Sequence, residues 1–222
     1  MFPAHDYPWT SPHRRQQTDL HPDRLDGRRL VVAVGSNASP AVLRAKLSGD
    51  PAAMPPLMAV AISGLAVGYS AHVSRRGYVP AAPYRAPGAR LSTVGAWLND
   101  RETTALDRTE PNYDRMVLST AHHPVAAAVA PETFSLYVSR HGVLADPRTA
   151  TPVPFGTQQE IIDWLETHLR DPGLSGTATA VCARLADRDV GRRVTEAIRT
   201  TRLSTDSRIT TTKHDREGLT QQ

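Results

Sequence analysis

The stretch of residues 30–40 constrains the fold most, because a buried strand changes there abruptly into a helix. Residues 30–34 form an unbroken aliphatic run, the pattern of a strand covered on both faces. Residues 35–37, with the sequence Gly-Ser-Asn, follow as a tight polar loop. Ser39 and Pro40 are typical of a helix start, with Ser at the N-cap and Pro at the first helical position. The sequence thus predicts a strand, a polar loop and a helix in direct succession.

A second strand-to-helix segment lies further along the chain. Residues 91–98 are predicted as a strand, after which Asn99 or Asp100 can cap a short helix. Glu110 follows at the exit of that helix, three residues after Asp107. Residues at this spacing lie on one side of a helix, so we expect the two carboxylates to share a face.

The two segments offer complementary chemistry. Glycine permits a close approach to the backbone of the loop, and Ser and Asn add side-chain hydrogen bonds. The helix that follows would aim backbone N–H groups at the loop, which suits a carboxylate or a developing oxyanion. A glutamate at a helix exit is a candidate general base. Each segment taken alone also has an ordinary structural explanation, as a strand-to-helix turn and as a surface carboxylate.

The rest of the chain predicts a mixed sheet followed by helices. Further strands are expected over residues 58–62, 65–73, 116–121, 125–129 and 133–138. Residues 74–90 contain several Gly and Pro and are expected to form a long loop or a broken strand. Residues 157–170 predict one helix, and residues 178–202 predict one or two more. This order predicts the α+β class: a small mixed, largely antiparallel β-barrel with flanking helices, plus C-terminal helices.

Composition divides the chain into four parts. Residues 1–28 hold few aliphatic residues and many Pro, His, Arg and Asp, and residues 204–222 are mostly polar. Both segments are therefore expected to be disordered tails. Residues 29–155 would form the barrel domain, and residues 156–203 a C-terminal helical extension.

Charge and cysteine content narrow the function classes. The net charge is +4 and the pI is near 9.6, but aromatic residues make up only 5% and the arginines are scattered among acidic residues. No nucleic-acid partner is expected from that pattern. Cys182 is the single cysteine, so an internal disulfide and a cysteine-type zinc site are excluded. Residues 58–67, the longest apolar stretch, are too few to span a bilayer, and the first residues lack a signal-peptide core. We expect a cytoplasmic protein without a membrane partner.

Several motifs occur in a fixed order between residues 30 and 138. After the strand, Gly-Ser-Asn loop and helix come, in one-letter code, VGxWL at residues 94–98, LDxxE at residues 106–110 and YxR at residues 113–115. GYVP at residues 77–80 and PG at residues 87–88 lie between the first two motifs. In this order and spacing they resemble the γ-glutamylcyclotransferase-like (AIG2-like) superfamily. The resemblance covers neither the tails nor the helical part after Pro154.

The resemblance implies a fold, a reaction and a site. The fold would be a small mixed β-barrel with flanking helices. The reaction would release 5-oxoproline from a γ-glutamyl compound by intramolecular aminolysis. Enzymes with this chemistry are classed as acyltransferases or cyclising lyases. Such a substrate places its own α-amine within five-membered-ring reach of the γ-carbonyl, so the enzyme must hold that conformer. Glu110 would be the general acid/base, and no metal or organic cofactor would be required. The γ-glutamyl part would be bound by Gly35, Ser36, Asn37, Ala38 and Tyr78.

Two residues depart from the family pattern. Members usually carry an aromatic residue, most often Tyr, before Gly-Ser-Asn, where this chain has Val34. Tyr78 or Tyr84 could supply the missing ring or hydroxyl. Members also favour Gly after the glutamate, where this chain has Pro111, which would stiffen the exit and re-aim Glu110. Both changes leave open an altered substrate or a lost activity.

Three functions remain open from the sequence. The first is the enzyme, and the second is a binding module on the same fold that lacks turnover. The third is a protein or nucleic-acid contact through the Arg-rich C-terminal helices, with a steep salt dependence. The group attached to the γ-glutamyl unit is equally open: glutathione, a γ-glutamyl amino acid, a γ-glutamylamine and a protected biosynthetic intermediate all fit. The sequence does not predict the oligomeric state.

Overall fold

The computed structural model describes residues 2–9, 20, 24–47 and 54–211. Its strands are β1 (Arg29–Val32), β2 (Leu57–Tyr69), β3 (Ala81–Leu98), β4 (Tyr113–Ser119), β5 (Val125–Ala126), β6 (Thr133–Ser139), β7 (Val143–Leu144) and β8 (Ser204–Thr205). Its α-helices are α1 (Pro40–Lys46), α2 (Asp100–Asp107), α3 (Gln158–Leu169), α4 (Ala178–Leu185) and α5 (Arg188–Thr200). None of the helices in these ranges is long and apolar enough to cross a membrane.

Six strands form one mixed sheet in the order β4-β6-β1-β3-β2-β5. Within the described sheet, β1 and β6 run parallel and the other neighbouring strands pair antiparallel. The sheet curls into a half-barrel with β4 and β5 at its edges, while β7 and β8 pair separately. The predicted class, α+β with a mixed, largely antiparallel sheet and flanking helices, is confirmed.

The long hairpin of β2 and β3 corrects the prediction for residues 74–90. β3 begins at residue 81, so about half of that stretch is strand, and β2 is one continuous strand where two were expected. The pairing register shifts between Ser63 and Leu65, opposite the Pro87-Gly88 pair, and Gly88 has φ +82°. Proline and glycine fit a strand where a bulge leaves residues unpaired. These two residues therefore bend the hairpin and do not interrupt it.

Three clusters of buried apolar side chains are found among the described residues. The first, called the helical core below, contains Tyr69, Ala71, Val79, Leu144, Ile161, Ile162, Leu165, Leu174, Val181, Cys182, Leu185, Val194, Ile198 and Leu203. The second fills the inner face of the sheet, with Leu30, Met58, Ile62, Leu65, Phe134 and Leu136 among its members. In the third, Leu43 of α1 and Leu106 of α2 pack on Val31 of β1 and Leu98 of β3. This third cluster fixes both helices beside the end of β1.

The described parts of the two predicted tails differ from the expected disorder. Tyr7 is 5% exposed, and a 3₁₀ turn spans Ala4–Asp6. At the other end, β8 pairs with β7 and Ile209 packs into the sheet core. Isolated apolar residues in a polar segment give no periodic signal, so only the partners supplied by the fold reveal them. The remaining tail positions lie outside the described residues, and the division at residues 155 and 203 stays a prediction.

Candidate active site

A cavity of about 350 Å³ lies where four segments meet beside the end of β1. These segments are the Gly-Ser-Asn turn, the turn between α2 and β4, the connection from β2 to β3, and residues 2–9. The neighbouring elements α1 and β6 contribute Lys46 and Tyr137 to the lining. Its lining includes Tyr7, Ser36, Asn37, Lys46, His72, Tyr78, Glu110, Tyr113 and Tyr137. The cavity has the size of a small-molecule site and combines aromatic rings with a few charged groups.

The Gly-Ser-Asn loop is itself a 3₁₀ turn over Gly35–Ala38. Gly35 has φ +65°, in the left-handed region that favours glycine. Ser36 and Asn37 line the cavity, whereas Gly35 and Ala38 belong to the turn without contributing to the lining. The helix begins only at Pro40, so the backbone N–H groups of Ser36 and Asn37 belong to the 3₁₀ turn and not to α1.

Glu110 lies beyond the end of α2, which corrects the expectation of a shared helix face. The helix stops at Asp107, whose backbone oxygen accepts from the Glu110 N–H at 3.1 Å. The Glu110 carbonyl in turn accepts from the Tyr113 N–H at 3.0 Å, which closes a turn with Pro111 at its second position. Proline suits that position because its fixed φ matches the turn. Pro111 therefore supports the turn that presents Glu110.

The two neighbouring carboxylates point to different partners. Tyr137 donates to Asp107 Oδ1 at 2.7 Å, and Arg115 forms an ion pair with the same carboxylate at 3.0 Å. Glu110 Oε1 accepts instead from Asn37 Nδ2 at 3.0 Å and from Lys46 Nζ at 2.6 Å. Glu110 Oε2 accepts no hydrogen bond from any residue that the structure describes. One carboxylate oxygen is thus held in place while the other stays available to a ligand.

Lys46 is a site residue that the sequence reasoning missed. Its ammonium also donates to Asn37 Oδ1 at 2.8 Å, so it joins the Gly-Ser-Asn turn to Glu110. The Lys46 and Glu110 side chains are 21% and 12% exposed. Val42, one turn earlier on α1, lines the same cavity. Val42 and Lys46 are four residues apart, and residues at that spacing share a helix face. This spacing is the sequence signal that places Lys46 on the same side of α1 as Val42.

Two tyrosines hydrogen-bond to one backbone position of the cavity wall, and a third stacks on one of them. The Ala81 N–H donates to Tyr7 Oη at 3.0 Å, and Tyr113 Oη donates to the Ala81 carbonyl at 2.9 Å. The ring of Tyr78 stacks on that of Tyr7, with centroids 4.3 Å apart. Tyr78 lines the cavity, whereas Tyr84 does not contribute to the lining. The composition of residues 1–28 gave no signal for Tyr7.

Burial keeps the tyrosine hydroxyls protonated. Loss of solvent raises the pKa of Tyr7, Tyr78 and Tyr113, and the carboxylate of Glu110 raises all three further. The pKa of Tyr137 is also raised, first by burial and then by its hydrogen bond to Asp107. These hydroxyls are consequently neutral hydrogen-bond donors over the working pH range.

His72 is a neutral group at the cavity wall. Burial and the neighbouring ring of His141, stacked with centroids 4.5 Å apart, lower the pKa of His72 to about 3. Ser70 Oγ lies 2.6 Å from its Nδ1 and 2.6 Å from Ser139 Oγ. A histidine that stays neutral near pH 7 cannot donate as a cation. Glu110 and Lys46 are the charged side chains that hydrogen-bond to Asn37 of the turn. No group of three or more His, Cys, Asp or Glu side chains suited to a metal ion occurs in the described ranges.

Comparisons with known proteins give similarity of fold alone. No protein-family model matches the chain, and no curated protein matches it. An Arabidopsis thaliana protein known from a solution structure is 16% identical, with a TM-score of 0.40, over 70% of this chain and 88% of that one. An uncharacterised human protein is 11% identical, with a TM-score of 0.38, over 85% and 96%. A γ-glutamyl cyclotransferase is 12% identical, with a TM-score of 0.41, over 84% and 95%. At these identities and TM-scores, no residue role can be transferred from the three structures to this chain. The γ-glutamyl cyclotransferase carries the name of the family that the motifs resemble.

Proposed function

We propose that this chain is a γ-glutamylcyclotransferase-like enzyme that releases 5-oxoproline from a γ-glutamyl compound, with Glu110 as the general acid/base. The observation that carries the proposal is the meeting of Asn37 and Glu110, 73 residues apart in sequence, at 3.0 Å on the wall of one cavity. A polar turn and a carboxylate with one available oxygen are the two groups that intramolecular aminolysis requires.

The reaction would proceed with each proton accounted for. Glu110 Oε2 takes a proton from the substrate's α-amine as the nitrogen attacks the γ-carbonyl carbon and forms the ring C–N bond. The electron pair of the carbonyl moves to its oxygen, and donors of the Gly35–Ala38 turn stabilise the resulting oxyanion. Glu110 then returns the proton to the leaving nitrogen. The electron pair of the oxyanion re-forms the carbonyl as the original amide C–N bond breaks, and 5-oxoproline and an amine are released.

Lys46 and Asn37 would orient the base. Both donate to Oε1, so the carboxylate can rotate little and Oε2 keeps its direction. A base held at a fixed angle loses little entropy when the substrate binds, which favours the transition state.

The test is 5-oxoproline release from a panel of γ-glutamyl compounds: glutathione, γ-glutamyl amino acids and γ-glutamylamines. Wild type is compared with Glu110→Gln, which keeps the shape of the side chain and removes the base. Loss of a general base lowers the rate by about 10²–10⁴-fold. Glu132→Gln, at an exposed carboxylate in the loop before β6, is the matched control and should retain the wild-type rate. Full activity of Glu110→Gln would disprove the assigned mechanism.

A binding module without turnover is the second candidate, and the Lys46–Glu110 ion pair favours it. An ammonium 2.6 Å from Oε1 competes with a substrate amine for the same carboxylate. This candidate predicts calorimetric binding of a panel member and its recovery unchanged. A ligand that is recovered as 5-oxoproline would rule it out.

The third interpretation, a protein or nucleic-acid contact through the C-terminal helices, stays a prediction. On α5, Arg192 and Arg199 pair with Asp189 and Glu196 of the same helix. Such pairs reduce the positive charge that the helix presents to a phosphate backbone.

A further inference from the structure

Residues 2–9, called the N-terminal segment below, lie across one side of the cavity. Their 3₁₀ turn contacts α3 and α4, and Ala4 packs against the helical core. The Arg76 guanidinium lies 5.0 Å from the centroid of the Trp9 ring and also donates to the Phe2 carbonyl. The segment is thus anchored to the C-terminal helices and to the connection between β2 and β3.

Tyr7 is the residue with which the N-terminal segment enters the cavity. Its ring stacks on Tyr78, and its hydroxyl accepts from the Ala81 N–H at 3.0 Å. A Cβ on Gly35 would lie 2.1 Å from Tyr7 Oη, so the missing side chain at residue 35 is what admits this hydroxyl. Tyr7 therefore places an aromatic hydroxyl beside the Gly-Ser-Asn turn, which Val34 cannot do.

The Tyr7 hydroxyl has a proton to give. Its oxygen accepts a hydrogen bond from the backbone N–H of Ala81 at 3.0 Å. Among the residues that the structure describes, no oxygen or nitrogen accepts its proton. The hydrogen bond that this oxygen accepts polarises the O–H bond and strengthens it as a donor. Because the buried hydroxyl stays protonated, it is a neutral donor on the wall that also carries Glu110.

We infer that the Tyr7 hydroxyl contacts the ligand, donating its hydrogen bond to the γ-carbonyl oxygen of a bound γ-glutamyl group, so that the N-terminal segment completes the site. The inference rests on the proposed function. As the amine attacks, that carbonyl oxygen gains negative charge, and a neutral donor beside the Gly35–Ala38 turn stabilises it more strongly than in the ground state. Tyr7 would then act on the chemical step and not only on binding.

The test compares kcat and KM of Tyr7→Phe with wild type, in the full chain, on the panel compound that wild type converts. Phe keeps the ring that stacks on Tyr78 and removes the donor. Loss of one oxyanion donor lowers kcat by about 10²–10³-fold, with KM little changed. Tyr84→Phe, which removes a hydroxyl from β3 outside the cavity lining, is the control and should match wild type. Thermal melts of all three proteins separate a folding defect from a lost donor, and kcat is compared per folded molecule.

Each outcome decides the inference. A wild-type kcat in Tyr7→Phe overturns it while leaving the proposed function intact. A raised kcat also overturns it, because the N-terminal segment would then obstruct the cavity. A higher KM with unchanged kcat assigns Tyr7 to ground-state binding and contradicts the contact with the reacting carbonyl. If wild type itself releases no 5-oxoproline from any panel member, the proposed function fails, and the inference fails with it.

Discussion

The helical core and the cavity are assembled in opposite ways. The helical core takes most of its side chains from α3, α4, α5 and their connections, all apolar and close in sequence. The cavity takes Tyr7, Asn37 and Glu110 from segments far apart, together with Lys46 nine residues after Asn37, and those groups are polar or charged. Apolar burial contributes most of the free energy of folding, whereas half-buried charges contribute little. We therefore expect substitutions in the helical core to change stability and substitutions in the cavity to change chemistry.

The largest expected effect on stability comes from Leu165→Ala in the helical core. Leu165 is fully buried among Ile161, Val181 and other core members. Removing its side chain deletes apolar contacts and leaves a cavity, which costs about 2–5 kcal/mol of unfolding free energy. Urea denaturation measures the loss, and 5-oxoproline release per folded molecule should stay at the wild-type value. A loss of turnover in the folded variant would contradict the expectation that substitutions in the helical core change stability and not chemistry.

An intermediate effect on stability is expected from His72. This residue is a buried polar group that lines the cavity. An unfolded histidine binds a proton below about pH 6.5, whereas burial lowers the pKa of His72 to about 3 in the fold. Between those pH values the unfolded chain holds more protons, so stability falls as the pH falls. The loss from pH 7 to pH 5 is about 2 kcal/mol.

Urea denaturation at pH 7 and pH 5 checks this prediction. His72→Asn should remove the part of the acid sensitivity that His72 contributes. His122→Asn, at an exposed histidine, is the control and should behave as wild type. Equal acid sensitivity in wild type and His72→Asn would show that His72 does not cause the effect.

The smallest expected effect is that of Lys46→Met on kcat/KM, and it tests whether a substitution in the cavity changes the chemistry. The change removes the ammonium that donates to Glu110 and Asn37 and keeps an apolar chain. Because the pair is partly exposed, the melting temperature should change little. We expect kcat/KM for 5-oxoproline release to fall about tenfold, or about 1.4 kcal/mol, as the carboxylate loses its fixed orientation. Lys46→Arg, which keeps the charge, should retain more activity; a gain of turnover in Lys46→Met would indicate that the ammonium masks the base.

Local sequence signals explain which predictions held. The helix expected at residues 157–170 is α3, because Thr157 and Glu160 form a capping box at its start. The polar turn after β1 follows from Gly35 and the Ser-Pro helix start. The continuous β3 was missed because Pro87 and Gly88 look like chain breakers until a pairing strand is present to form a bulge.

Long-range contacts explain what the sequence could not supply. Asp107 and Glu110 look equivalent at their spacing, yet Tyr137 and Arg115 hold the first and Lys46 holds the second. These partners come from other strands and helices, so no pattern along α2 could distinguish the two carboxylates.

The sequence by itself determined the α+β class and the strand and polar turn beside the cavity, because apolar periodicity, capping residues and turn residues act over a few neighbouring positions. The role proposed for Glu110 came from the motif resemblance and not from these local patterns. Only the tertiary structure decided that Lys46 fixes one oxygen of that carboxylate and that Tyr7 lies against Gly35. The hydrogen bonds and ring contacts that place these two groups join segments far apart in the chain, and such contacts form only when the sheet and helices have brought those segments together.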